Sequence, residues 1–268
     1  MQRLECYESR NVIVRLSLAV SDSSTTLSEV EFRLKDYGDY LKQLLDDGYE
    51  CLSFADPRAR EISGKHLLLR HDIDIDPEMA VPMARREAEV GARSTYYVLI
   101  STRHTNPLDI AFRHAVYEIA NLGHWIGLHF DATQYGLTAD SENFNECVQH
   151  EISLAEKILG VKMESISFHR PSRDLIASSA ELTSPLRHTY EHVFMKEMEY
   201  CSDSSGKWAY GPPEDREAPK LGKPFHFLTH AIWWADNDLE PRERIESWMQ
   251  HRHSFDLHWE MPDMWPAP

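Results

Sequence analysis

Apolar positions alternate over Val12–Val20, with Val14, Leu16, Leu18 and Val20 on one face, and this period of two predicts a half-buried strand. In the next segment, "EVEFRLKDYGDYLKQLLDDGYECLSF", Phe32, Leu41, Leu44 and Leu45 fall on a helix that stops near Gly48. Gly38, inside it, weakens that helix. Leu67 to Leu69 form a short continuous apolar run, as in a strand covered on both faces of a parallel sheet. The helix that follows takes Asp76 as N-cap, Pro77 as its first residue and Gly91 as terminator, with a kink expected at Pro82.

The pattern then recurs. "STYYVLIST" reads as a strand, "PLDIAFRHAVYEIANLGH" as a helix, "WIGLHF" as a strand, Asn143 to Gly160 as a helix and "ESISF" as a strand. Such alternation builds a parallel sheet by right-handed crossovers, either open or closed into a barrel. Ser172 to Lys223 is richer in polar residues, Pro and Gly. The runs "HVFMKEMEYCSDS" and "PFHFLTHAIWW" read as two further strands, followed by a helix around Pro241 to His251. No linker interrupts the chain, so one domain is expected over 1–268: an N-terminal strand and helix over 1–64, a core over 65–235, and a C-terminal helix and tail over 236–268.

At 268 residues and 42% apolar content, the chain supports a real core. A net charge of −16 argues against a nucleic-acid or anionic-membrane partner, since a phosphate backbone needs a basic face, and favours a small neutral or cationic one. Charges are scattered through the first twenty residues and Arg15 interrupts their longest apolar stretch, which excludes a signal peptide or membrane span there; nowhere is there an apolar run of the roughly 20 residues that spanning needs. Cys6, Cys51, Cys147 and Cys201 are far apart and read as reduced thiols, so a cytoplasmic location is expected.

The stretch "KHLLLRHDIDIDPEMA" drives the apolar run into Asp72, Asp74 and Asp76. Their spacing matches the first three ligands of an EF-hand loop, but Pro77 stands at its glycine position and Met83 at its bidentate glutamate. In a parallel α/β sheet or barrel, chemistry gathers at the C-terminal strand ends. The other strands there carry His129 and Asp131, His169 and Arg170, Asp203 and Ser204, and His230. A carboxylate with two imidazoles is a common catalytic zinc set and also accepts harder divalent ions. A further Asp could serve as base and a His as acid, which implies metal-assisted hydrolysis of an amide or ester.

These residues resemble the polysaccharide deacetylase family with NodB homology, carbohydrate esterase family 4. The resemblance runs from about Phe32 to Trp234 through Arg70-His71-Asp72-Ile73-Asp74, Gly123 to Asp131, Phe168 to Pro171, Asp203 to Trp208 and Leu228 to Trp234, in the family's order. It implies a distorted (β/α) barrel that removes an acetyl group from an N-acetylated sugar. Carried over, Asp72 is the base, Asp74 a metal ligand, His129 the first metal histidine, Arg170 the arginine that orients the base, and His230 the general acid. Trp208 walls the acyl pocket, and Asp203 and Ser204 stand on the substrate side. Where the best-known members place a second metal histidine, this chain has Thr133, so His169 is expected to supply the third ligand, with Asp131 as alternative. The family's divalent ion is expected, zinc first, with cobalt, manganese or nickel as alternatives. The expected substrate is a small or carrier-linked N-acyl sugar. The rival readings are an amide hydrolase acting on a non-sugar metabolite and a carbohydrate-binding protein without activity. His71 and His124 are expected to brace loops, and Trp233 and Trp234 to pack.

Overall fold

The computed structural model describes residues 32–209, 211–237 and 239–260; the strand expected over Val12–Val20 lies outside them. Eight strands follow in chain order: β1 (Glu50–Cys51), β2 (His66–Ile73), β3 (Thr95–Val98), β4 (Trp125–Phe130), β5 (Ser165–Phe168), β6 (Arg187–His188), β7 (Glu199–Ser202) and β8 (Phe225–Thr229). Every pairing between them is parallel. The spatial order is β6-β5-β4-β3-β2-β8-β7, with β1 also on β2. Because the last strand lies beside the second, chain order runs round the sheet with one seam, between β6 and β7. This is a distorted (β/α) barrel.

Side-chain alternation along each strand separates two cores. Leu67 and Leu69 of β2 face outward into a large apolar layer with Tyr96, Leu128, Ile166 and Phe227. Leu68 faces the interior, where it meets Leu52, Phe54, Ala59, Tyr97, Phe194 and Met198. Arg70 and Asp72 keep the phase of Leu68, and this places charged side chains inside the curl of the sheet. At Gly127 of β4 an added Cβ would run into the Tyr97 ring and stand 2.8 Å from the Ser165 carbonyl. Gly127→Ala is therefore expected to destabilise the fold by about 1–3 kcal/mol, the usual range for overpacking, read from a shift in the urea midpoint at constant slope. An unchanged midpoint would mean that the interior at Tyr97 yields freely.

Helices α1 (Leu34–Asp46), α2 (Val81–Val90), α3 (Ile110–Asn121) and α4 (Phe144–Leu159) are followed by a short α5 (Glu217–Leu221) and a long α6 (Pro241–Glu260). Asp76 does cap as expected, accepting from the Glu78 amide at 3.0 Å, but what it caps is a 3-10 turn over Pro77–Ala80. Pro82 then lies in the first turn of α2, where its missing N–H costs nothing, so it starts the regular helix and does not kink it. Gly91 ends α2 at φ 83°, and Gly160 ends α4 at φ 69°. Gly38 belongs within α1 because Arg86 of α2 lies across it, where a Cβ would collide. The strand-like run "HVFMKEM" is instead a π-helical turn over Val193–Glu197, then β7. Burial decides this, since the turn lets Phe194 enter the inner core against Phe54, with ring centroids 5.1 Å apart.

A polar layer lies behind β2. Fully buried Glu87 of α2 accepts from His71 Nε2 at 2.7 Å, Ser94 Oγ at 2.6 Å and Tyr96 Oη at 2.8 Å, and also from Tyr37 Oη. Its carboxyl is held down at about 2, burial being outweighed by the neighbouring histidines and these donors. His124 reaches the Ala84 carbonyl at 2.9 Å, so His71 and His124 both brace the structure. Cys51, Cys147 and Cys201 are free thiols. Among the described residues no helix is long and apolar enough to cross a membrane.

Candidate metal centre and catalytic site

The inward phase of the strands delivers their last residues to one rim. Asp72 ends the inward row of β2 and Asp74 follows it. His129 is the last inward residue of β4, while His169 and His230 stand one residue beyond β5 and β8. His129 Nε2 lies 3.0 Å from Asp74 Oδ1, His169 Nδ1 lies 3.1 Å from the same oxygen, and the two ring nitrogens are 3.1 Å apart. These three residues form a group whose ligand atoms all lie within 4.8 Å of one another. Bonds of roughly 2.0–2.1 Å to a zinc-sized ion imply ligand separations of about 3.0–3.4 Å, so the donor set fits a divalent cation. Burial resists the charge on Asp74, but His129 and His169 hold its carboxyl well below the usual range.

Asp72 sits beside this group, its Oδ2 3.9 Å from His129 Nε2. Only 4% exposed, it is gripped at both oxygens by Arg70, Nε to Oδ1 at 2.9 Å and Nη2 to Oδ2 at 2.7 Å. Burial would raise this carboxyl, yet Arg70, aided by His129, brings it down to about 2, and Asp72 is ionised at neutral pH. The arginine that grips Asp72 is therefore Arg70, where Arg170 was expected. Arg70 shares the inward face of Asp72 two residues away, whereas Arg170 is exposed beyond β5 with a left-handed φ of 45°. Arg70 Nη2 also reaches Ser167 Oγ at 2.6 Å and Tyr190 Oη at 2.8 Å.

His230 flanks the group from the β8 side, its Nε2 3.9 Å from Asp74 Oδ2. Its Nδ1 donates to Asp203 Oδ1 at 2.7 Å, and the Asp203 carboxylate also accepts from the His230 amide and from Trp234 Nε1 at 2.7 Å. Burial opposes a charge on this ring, but Asp203, then Asp74 and Asp72, outweigh it and raise His230 to about 9.

The remaining expectations fall in other places. Asp203 is fully buried beneath His230, with no face left for substrate. Ser204 is exposed on the loop after β7 and bonds Ser202 at 2.6 Å. The Trp208 ring, partly buried, packs against the outer core at centroid distances of 5.6, 6.0 and 6.1 Å from Phe32, Phe227 and Trp234. Asp131 is occupied as the cap of the turn over Ala132–Tyr135, accepting from Thr133 Oγ1 at 2.6 Å and Gln134 Nε2 at 3.0 Å. Both oxygens of Asp131 thus have partners of their own, in Thr133 and Gln134. Arg70, quoted in a motif but given no role, and Ser167, not singled out, each stand two residues before a chosen rim residue on the same face of its strand. Trp234, expected only to pack, also donates to Asp203.

No family model and no curated protein matches the chain. Among solved structures it is similar to a family 4 carbohydrate esterase from Bacillus anthracis, at 14% identity and TM-score 0.39, covering 76% of this chain and 81% of that one. It is also similar to a T48 deacetylase with substrate, at 18% identity and TM-score 0.36, covering 67% and 79%. A third is a Streptococcus pyogenes deacetylase in complex with acetate, at 11% identity and TM-score 0.37, covering 79% and 85%.

Proposed function

We propose that this chain is a metal-dependent hydrolase that removes an acyl group, acetyl by preference, from the nitrogen of an amino sugar or related biosynthetic intermediate in the cytoplasm. The observation that carries the reading is the meeting of Asp74, His129 and His169 within 4.8 Å, with Asp72 3.9 Å from His129 on one side and His230 3.9 Å from Asp74 on the other. A divalent ion bound by those three, zinc first and cobalt, manganese or nickel as alternatives, supplies Lewis acidity towards water and the acyl oxygen. Asp72 takes the proton of the attacking water, oriented by Arg70. His230 Nε2 gives a proton to the departing nitrogen, while Asp203 holds Nδ1–H and keeps the ring turned to the rim. Asp203 is thus a positioning residue. Arg170 and Ser204, exposed on the loops around the rim, are free to meet the sugar.

The test is metal content together with metal-dependent release of acetate from an N-acetylated amino sugar. One divalent ion per chain and turnover abolished by a chelator support the reading; a metal-loaded, folded protein that binds sugar without turnover would support the inactive binder. The ligand set has its own check. Asp74→Ala and His169→Ala are expected to lose the ion, while Asp131→Ala keeps it and loses only a turn cap, a cost of about 1 kcal/mol. Metal retained in His169→Ala but lost in Asp131→Ala would reverse the choice of third ligand.

A further inference from the structure

Ser167, on the inward face of β5, touches three groups at once. Arg70 Nη2 lies 2.6 Å from its hydroxyl oxygen, Asp72 Oδ1 3.1 Å and His129 Nδ1 3.0 Å. All four side chains are buried. A guanidinium can only donate hydrogen bonds, and a carboxylate gripped at both oxygens by an arginine can only accept them. A serine hydroxyl has one proton and two lone pairs. The proton must go to Asp72, and one lone pair receives Arg70. Only a lone pair is left for His129, so Nδ1 of that ring has to be the donor. When the group holds an ion, the lone pair the ring offers to it is then on Nε2, which stands 3.0 Å from Asp74 Oδ1 and 3.1 Å from His169 Nδ1.

We infer that Ser167 is a positioning residue that selects the tautomer of His129, presenting Nε2 to the metal group, and that it does so because Arg70 and Asp72 fix the direction of its hydroxyl. This deepens the proposed function and rests on Asp74, His129 and His169 being the metal ligands. One hydroxyl then links the base to a ligand: whatever turns the Ser167 proton away from Asp72 also releases the imidazole. The other direction, with Ser167 donating to His129 Nδ1, would place an N–H at Nε2 and close that nitrogen to a metal.

Two measurements test this. In zinc-loaded parent protein labelled with 15N-histidine, the His129 resonances, assigned by their loss in His129→Gln, are expected to show Nδ1 protonated and Nε2 bound to the ion. Coordination through Nδ1 overturns the inference. In the Ser167→Ala variant zinc affinity, measured by chelator competition, is expected to fall by about 10- to 100-fold, the usual loss when the partner of a ligating histidine is removed. A folded Ser167→Ala variant with the parent's zinc affinity also overturns it. A parent that binds no zinc defeats the metal reading and the role of Ser167 with it, whereas a parent that binds zinc through Nδ1 of His129 defeats the role of Ser167 alone.

Discussion

Asp72→Asn is expected to lower amide hydrolysis by about 10² to 10⁴ per folded, metal-loaded molecule, the usual loss when a general base is removed. An asparagine cannot take the proton from water. The same substitution disturbs the structure, because Arg70 is fully buried and its bidentate partner would become an amide whose NH₂ group faces a donor. Breaking a buried pair from one side costs about 3–5 kcal/mol, so a lower Tm is expected too. The two effects separate when kcat is normalised to folded protein, by circular dichroism, and to bound metal. Near-parent turnover after that normalisation would move the base to another carboxylate, with Asp74 and Asp131 next in line.

His230→Ala is expected to depress amide hydrolysis far more than aryl-ester hydrolysis. An amine leaves poorly as an anion and needs a proton in the transition state, whereas an activated phenolate leaves readily without one. The His230 ring is placed for this, with Nδ1 held by Asp203 and Nε2 turned to the rim. The measurement is the ratio of kcat/KM, variant to parent, on matched amide and ester substrates, with a drop on the amide of about 10² to 10⁴. Metal content should stay unchanged. Equal losses on both substrates would remove His230 from the acid role, and loss of the ion would make it a ligand.

Elements with a strong local pattern were legible from the residues alone. Strand β4 matches "WIGLHF" residue for residue, and α4 lies between the expected Asn143 and Gly160. Both are set by their own burial pattern and end signals. Strands β1 and β6, of two residues each, carry too few positions for any period to show. The π-helical turn over Val193–Glu197 was misread because its apolar residues satisfy strand propensity, while the inner core beneath Tyr97 dictates its shape. At the rim, strand ends located the aspartates and histidines, since a parallel sheet sends its C-terminal ends to one side. Which arginine contacts Asp72 follows from the face it shares: Arg170 continues "FHR" on a loop, while Arg70 follows the pleat. The Glu87 layer was invisible because its members come from distant stretches, Tyr37 of α1, His71 of β2, and Ser94 and Tyr96 at β3, and only the last two share a local spacing.

The alternation of β2, Leu67 and Leu69 to one side and Leu68, Arg70 and Asp72 to the other, bears on how such a protein can diverge. Odd-numbered positions of this strand answer to the outer apolar layer and even-numbered ones to the interior and the rim, so the two sets face different neighbours. Substitutions in the even set act on the inner core and the Arg70–Asp72 pair while the outer layer stays intact. An insertion or deletion of one residue before Arg70 would exchange the two sets in a single event, turning the charged groups into the apolar layer and leucines into the interior of the sheet. Descendants of this chain should therefore vary by substitution within β2 and by length change only in the loops beyond it, a pattern that a deep insertion–deletion scan of residues 60–80 can read directly.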